Sequence, residues 1–500
     1  MQIRVFFAVW ALVLIAGGST VQGSEAPISD ATAECLGCHE IFHPGIVEDW
    51  HSARHSVVTP GEAMTVEGLE RKLSADEVPD NLREVAVGCA ECHTLRPEAH
   101  ADTFEHNGYD VHVVVSPDDC KTCHAVERKQ YSENIMAHAY GNLARNTLYQ
   151  DLQEKILGTP RYGEGAIHYE PSDARTRADA CYYCHGTVVG VEGTETRSTD
   201  AGDLDFPVLS GWPNQGVGRI NPDGSAGSCS ACHTRHAFSI EMARKPHTCK
   251  ECHVGPDVPA YKVYSASKHG NIYSAMREKW DFTPVPWTVG TDFTAPTCAV
   301  CHISLTVTPD GTVVNERSHR MTDRLGWRIF GLIYAHPEPK SPDTTVIRNA
   351  DGLPLPTDFG GGTASAFLLN EEQMAAHRDT MQSTCRACHD TSWVQGHFQR
   401  LDNTIARSNE SVKTATEILQ KAWEQGWAEG PGKGSPFDEA VERKWMDAWL
   451  LYANNIRFVS AMAGGGDYGV FEDGRYHLAA AIAGLHDWMQ TREFLKTPSP

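Results

Sequence analysis

Eight five-residue motifs of the form Cys-x-x-Cys-His constrain this chain more than anything else in it. They run Cys35–His39, Cys89–His93, Cys120–His124, Cys181–His185, Cys229–His233, Cys249–His253, Cys298–His302 and Cys385–His389, and they use all 16 cysteines. A single match is compatible with a zinc site or a redox thiol pair. Zinc pairs carry no requirement for a histidine after every second cysteine, so eight complete copies point away from zinc. The pattern is the attachment signal for c-type haem: two thiols add to the haem vinyl groups and the histidine becomes an axial iron ligand. The expected anchors are Cys35 and Cys38, Cys89 and Cys92, Cys120 and Cys123, Cys181 and Cys184, Cys229 and Cys232, Cys249 and Cys252, Cys298 and Cys301, and Cys385 and Cys388. The expected proximal ligands are His39, His93, His124, His185, His233, His253, His302 and His389. Eight covalently bound haem c groups per chain follow.

That cofactor load reshapes the fold expectation. Macrocycles replace much of the side-chain core, so 500 residues need not divide into ordinary domains. Gly and Pro are plentiful (43 and 27) and no long alternating strand pattern appears. A mainly α fold is expected: loops and helices wrapped on stacked haems, then a region of long helices. The motifs are irregularly spaced, which excludes a tandem array of identical modules. Gly186 to Gly227 and Pro337 to Gly362 read as long loops from their Gly, Pro, Asp and Thr content.

Residues 1–23 read as a signal peptide, with Arg4, an apolar stretch from Phe6 to Ala16 and a small-residue end at Val21-Gln-Gly23. A retained anchor is the other reading, and the apolar run is short for a span. Residues 24–400 are then the octahaem cytochrome domain and 401–500 the helical C-terminal region. In the latter, helices are expected over about 403–426, 436–463 and 476–495, the second capped by Ser435 and stopped by Gly464-Gly465-Gly466. The formal charge of −22 disfavours nucleic acid as a partner. It suits either plain solubility or the steering of a basic electron carrier. Export fits the chemistry, since c-type haem is attached outside the bacterial inner membrane; the bacterial periplasm or an equivalent compartment is expected, with a protein that does not span the membrane.

An electron-transfer haem takes two axial ligands, whereas a catalytic haem keeps one position open. Seven distal ligands would leave one of eight irons open. The candidates are His55, His112, His138, His236, His269, His319 and His377, with His106 competing with His112 and His51 with His55. The pairing of histidine with iron stays open at this level.

Eight motifs and a helical tail resemble the octahaem hydroxylamine oxidoreductase family. The sharper pieces are Cys181-Tyr-Tyr-Cys-His-Gly-Thr, Gly211-Trp-Pro-Asn-Gln-Gly-Val-Gly-Arg219, Cys229-Ser-Ala-Cys-His-Thr-Arg-His236, Ser267-Lys-His-Gly and Gly464-Gly-Gly-Asp-Tyr468. The resemblance implies an exported homotrimer that oxidises hydroxylamine, or hydrazine in some relatives, at the fourth motif. His185 would hold that open iron, and the other haems would pass electrons to an external c-type cytochrome such as those of the periplasm or the anammoxosome. It further implies a distal acid at Asp257, a weaker distal candidate at Tyr334, and a covalent link from Tyr468 to the fourth haem of a neighbouring subunit. Val258 stands where the family commonly has histidine. Two other readings remain: a nitrite- or hydroxylamine-reducing octahaem cytochrome, and an electron conduit with every iron six-coordinate.

Overall fold

A computed structural model describes residues 26–464 and 468–496, with the side chains of 468–473 outside the description. The segment read as a signal peptide and residues Gly465–Asp467 therefore lie outside the described residues. The chain is about half helical, and its strands form small hairpins and short ladders rather than a large sheet. This is the mainly α, haem-packed architecture expected for such a composition.

The motif spacing explains the local structure around each cysteine pair. Positions i, i+3 and i+4 share one face of a helical turn, so both thiols and the imidazole point the same way. Cys89–His93, Cys181–His185 and Cys298–His302 are one-turn helices. Cys35–His39 lies inside a longer helix, Asp30–Phe42, and the other four keep the same closing bond: the amides of His124, His233, His253 and His389 donate to the carbonyls of Cys120, Cys229, Cys249 and Cys385 at 2.8–3.0 Å.

After the last motif the chain builds its main apolar core. Helix α1 (Thr391–Glu424) starts directly after His389, capped by Asp390, whose side chain accepts from the Trp393 amide. It begins twelve residues before the expected start at 403, because that cap follows the motif without a linker. Helix α2 (Ala440–Met446) passes through a π-helical stretch, Asp447–Ala453, into α3 (Asn454–Ala463). Glu439, not Ser435, is its cap. Ser435 instead accepts from the Phe437 amide and donates to Asp151, which fixes a turn ahead of the helix. Gly464 closes α3 in the left-handed region at φ 62°. Helix α4 (Tyr468–Lys496) packs back on this pair. Leu419, Val441, Trp445, Trp449 and Leu485 are at most 1% exposed and anchor the cluster.

The segment expected as one loop over 186–227 contains a long antiparallel hairpin, Gly190–Thr199 against Gly202–Ser210. Nearly all of its first strand is exposed. Only the second strand is partly covered, with Phe206 against Phe104 and His106, and the exposed first strand needs no apolar alternation, which is why the segment reads as loop. Pro337–Gly362 is irregular apart from short pieces, as expected. No helix among the described residues is long and apolar enough to cross a membrane.

Candidate haem sites and the fourth motif

Two imidazoles on opposite sides of one iron have a recognisable spacing. Each nitrogen sits about 2 Å from a first-row metal and each ring centre about 1 Å further out, so the centres are about 6 Å apart. Four motif histidines face a partner at that spacing. His39 faces His106 at 6.2 Å, His93 faces His236 at 6.5 Å, His124 faces His55 at 6.3 Å, and His389 faces His269 at 6.1 Å. His233 has His319 as its electrostatic neighbour. Burial pushes His55, His233, His236 and His319 down to about 4, which holds those four rings neutral. A neutral ring offers a lone pair to a metal.

The far ring nitrogen supports the same reading. A metal-bound imidazole normally donates its other N–H to a carbonyl or carboxylate. Nδ1 of His93 meets the His112 carbonyl at 2.8 Å, that of His185 the Ala139 carbonyl at 3.2 Å, and that of His302 the Met321 carbonyl at 3.2 Å. Nδ1 of His336 and of His377 are held likewise, on Pro337 and Leu325 carbonyls at 2.7 and 2.8 Å. The donor set, its tautomers and a cavity of about 2950 Å³, which reaches Cys35, His39, Cys92, His93, His106 and His236, fit covalently bound haem.

Two expected ligands look different in the structure. His112 stands 6.0 Å from His93, but its Nε2 meets the Leu95 carbonyl at 3.0 Å and its ring stacks on His100 at 3.7 Å. His106 therefore takes the role assigned to the pair. His138 spends Nε2 on the Ser132 carbonyl at 2.9 Å. His336, 1% exposed, was not among the sequence candidates. The missed signal was its place before Pro337, which reads as a turn. His51 lies next to Trp50 on an exposed helical end, and His55 holds the facing position.

The motifs also touch one another in a definite order. Thiols of Cys120 and Cys229, of Cys184 and Cys252, and of Cys249 and Cys298 lie within hydrogen-bonding reach. Cys35 neighbours Cys89, Cys92 neighbours Cys123, Cys232 neighbours Cys249, and Cys301 neighbours Cys385. The contacts thus run first, second, third, fifth, sixth, seventh, eighth, and the fourth motif joins at the sixth.

His185 and His253, of the fourth and sixth motifs, share two charged neighbours, the Asp257 carboxylate and the Arg328 guanidinium. Asp257 also neighbours Cys181 and Cys184, so its loop closes over the fourth motif. The tail of the same chain holds that loop: Asn454 Nδ2 donates to the Asp257 carbonyl at 3.3 Å. Val258 packs in an apolar cluster with Val263, Phe458 and Val459. Arg328 pairs at 3.8 Å with Glu338, which is 4% exposed and whose pKa burial raises. Neither residue had a sequence signal, because both come from irregular chain far from any motif. Gln153, 5% exposed, brings its amide to Cys181 and Tyr182. Tyr334 is 2% exposed in the helical core with its hydroxyl on the Phe359 carbonyl at 2.8 Å, and burial pushes it up to about 12. Its contacts belong to the tail core rather than to the fourth motif. The backbone of Tyr468 opens α4, and its side chain lies outside the described residues.

Comparison with known proteins agrees with the donor geometry. A solved structure described as a hypothetical multihaem protein is 38% identical, covers 95% of this chain and 98% of its own, and superposes with a TM-score of 0.88. The chain is a multihaem c-type cytochrome. Residues 222–327 of this cytochrome match the family described as seven times multi-haem cytochrome CxxCH, and 119–204 match cytochrome c554 and c-prime. It is also 24% identical over 412 residues to a probable nitrite reductase-hydroxylamine oxidoreductase fusion protein of Kuenenia stuttgartiensis. That match takes in 81% of the cytochrome, which spans about two-fifths (39%) of the relative's length. A reducing HAO-like protein complex from Kuenenia stuttgartiensis shares the fold, with a TM-score of 0.57 at 18% identity over 92% of this chain and 84% of that one.

Proposed function

We propose that this cytochrome is an exported octahaem enzyme that oxidises hydroxylamine at its fourth motif. The observation that carries the reading is the place of Asp257, whose carboxylate neighbours His185 and both anchors, Cys181 and Cys184, with the Arg328 guanidinium beside it. Five other motif histidines have an imidazole neighbour. A haem held by Cys181, Cys184 and His185 would supply redox chemistry at this motif. The remaining work falls to the chain. Oxidation releases protons with the electrons, and the Asp257 carboxylate is the base that receives them. Asn454 fixes that loop from the tail helix, so the acid stays over the site. Arg328, paired with Glu338, sets a positive charge where negative charge builds on a deprotonating substrate. Tyr334 has no part in this set.

Seven motifs in mutual contact then form the conducting run to an acceptor c-type cytochrome, for which the acidic surface is a complement. A homotrimer completed by a Tyr468 link to the neighbouring fourth haem belongs to the same proposal. Such a bond distorts the macrocycle, a known lever on iron reactivity, and it favours withdrawing electrons from substrate.

The second reading is reduction of nitrite or hydroxylamine, favoured by the likeness to a reducing complex; hydrazine oxidation is a variant of the first. Adding hydroxylamine to the oxidised holoprotein separates them. Rapid appearance of reduced c-haem bands supports oxidation. Turnover of nitrite with a reduced viologen, and none with hydroxylamine as donor, moves the assignment to the reductase. Silence in both assays leaves an electron conduit. In the oxidase, haem-staining protein runs as a trimer on a denaturing gel and Tyr468→Phe runs as monomer.

A further inference from the structure

Two arginines from the Gly211–Arg219 and Cys229–His236 stretches converge away from the fourth motif. Arg219 is 2% exposed, and its guanidinium lies 5.3 Å from the centre of the Trp212 ring. Arg235 is half-buried and lies 4.8 Å from the same ring. All three line the large cavity that also reaches Cys92, His93 and His236.

Their hydrogen-bond partners are all neutral. Arg219 Nε donates to Asn221 Oδ1 at 2.7 Å and Nη1 to the Asn214 carbonyl at 3.2 Å. With the Gln215 amide turned to match its neighbours, its oxygen accepts from Arg235 Nη2 at 2.8 Å. Among the described residues neither guanidinium meets a carboxylate, and each is an unfavourable neighbour of the other. Burial and that repulsion lower Arg219 to about 10, which still leaves it charged at neutral pH. Two like charges desolvated beside one another require a counter-anion.

The site fits a carboxylate. Guanidinium forks match carboxylate geometry and Trp212 supplies a rigid wall for both cations. The nearest source is set by the chain: Arg235 precedes His236, the imidazole that faces His93 at 6.5 Å. We propose that Arg219 and Arg235, held against Trp212, form a clamp that receives the propionate carboxylates of the haem seated between His93 and His236. The clamp keeps those propionates ionised and lends positive charge to that haem. It depends on haem being bound at the second motif and is independent of which nitrogen compound reacts at the fourth.

The test is a potentiometric titration of holoprotein whose haem content has first been matched by intact mass. Arg235→Gln removes a positive charge beside one haem, so one midpoint falls and becomes pH-dependent in the mildly acidic range as its propionates protonate. Arg235→Lys restores most of the shift. Inorganic phosphate or nitrite added to the unmodified protein leaves the titration unchanged. The proposal is overturned by either of two results. The first is a saturable phosphate or nitrite shift that Arg235→Gln abolishes, which makes the clamp a free-anion site. The second is a titration of fully loaded Arg235→Gln that superposes on that of the unmodified protein. Arg219→Gln extends the test where it matures; Arg235, being half-buried, carries it otherwise.

Discussion

The sharpest prediction concerns His106 and His112, which competed for one distal-ligand role at an iron that the sequence left open. His106 faces His39 at 6.2 Å, the spacing of two imidazoles across an iron. For His112 to ligate, Nε2 must leave the Leu95 carbonyl at 3.0 Å and the ring must leave its parallel stack on His100 at 3.7 Å. A hydrogen bond is worth about 1 kcal/mol and a ring pair about 1 kcal/mol. Together they disfavour His112 by roughly 2 kcal/mol, a factor of about 30. Ligand deletion reads this out directly. If the fourth iron alone is open, as proposed, the protein carries one high-spin haem per chain. His106→Ala raises that to two, so the high-spin signal in quantitative electron paramagnetic resonance roughly doubles at unchanged haem content. His112→Gln, which preserves a donor towards Leu95, leaves it at one. A doubled signal in His112→Gln with none in His106→Ala would refute the assignment.

Other outcomes follow from the tail and the site. Glu442 is fully buried, and desolvation, with Glu439 and Asp438 adding repulsion, raises it from 4.5 to about 7. An acid with a raised folded pKa binds its proton more tightly when folded, so its stabilising effect is complete below about 4.5 and lost as pH climbs through about 7. The shift corresponds to about 3 kcal/mol. Urea midpoints followed by circular dichroism should fall between pH 5 and 8, and Glu442→Gln should flatten that slope; parallel slopes in the two proteins defeat the argument. Trp445→Ala removes a 1% exposed ring packed on Phe437 and Trp449, and its indole bond to Thr416 at 2.8 Å. It should cost about 3–5 kcal/mol by the same measurement, and a loss under about 1 kcal/mol would mean the core collapses around it. Asp257→Asn should lower hydroxylamine turnover with haem content retained, and an unchanged pH–rate profile would remove Asp257 from proton transfer.

Much of this protein was legible because covalent chemistry leaves short-range marks. The one-turn motif helices follow from thiol and imidazole spacing alone, and the tail helices from apolar residues such as Val441, Trp445 and Trp449 at intervals of three and four. What was hidden depends on distance in space. His106 and His112 sit in the two strands of one hairpin, and only the folded chain shows which ring turns to His39. Arg328, Glu338 and Gln153 reach the fourth motif from segments that carry no pattern. The ribbon at 190–210 was hidden for another reason, since its exposed first strand carries none of the apolar alternation by which strands are recognised.

The order of motif contacts has a consequence for traffic. The fourth motif meets the run at the sixth, which has the fifth on one side and the seventh on the other. A station joined to the middle of a line feeds two termini, here the first motif and the eighth. Charge delivered at that junction has two ways out, so closing either end slows the line without stranding its passengers.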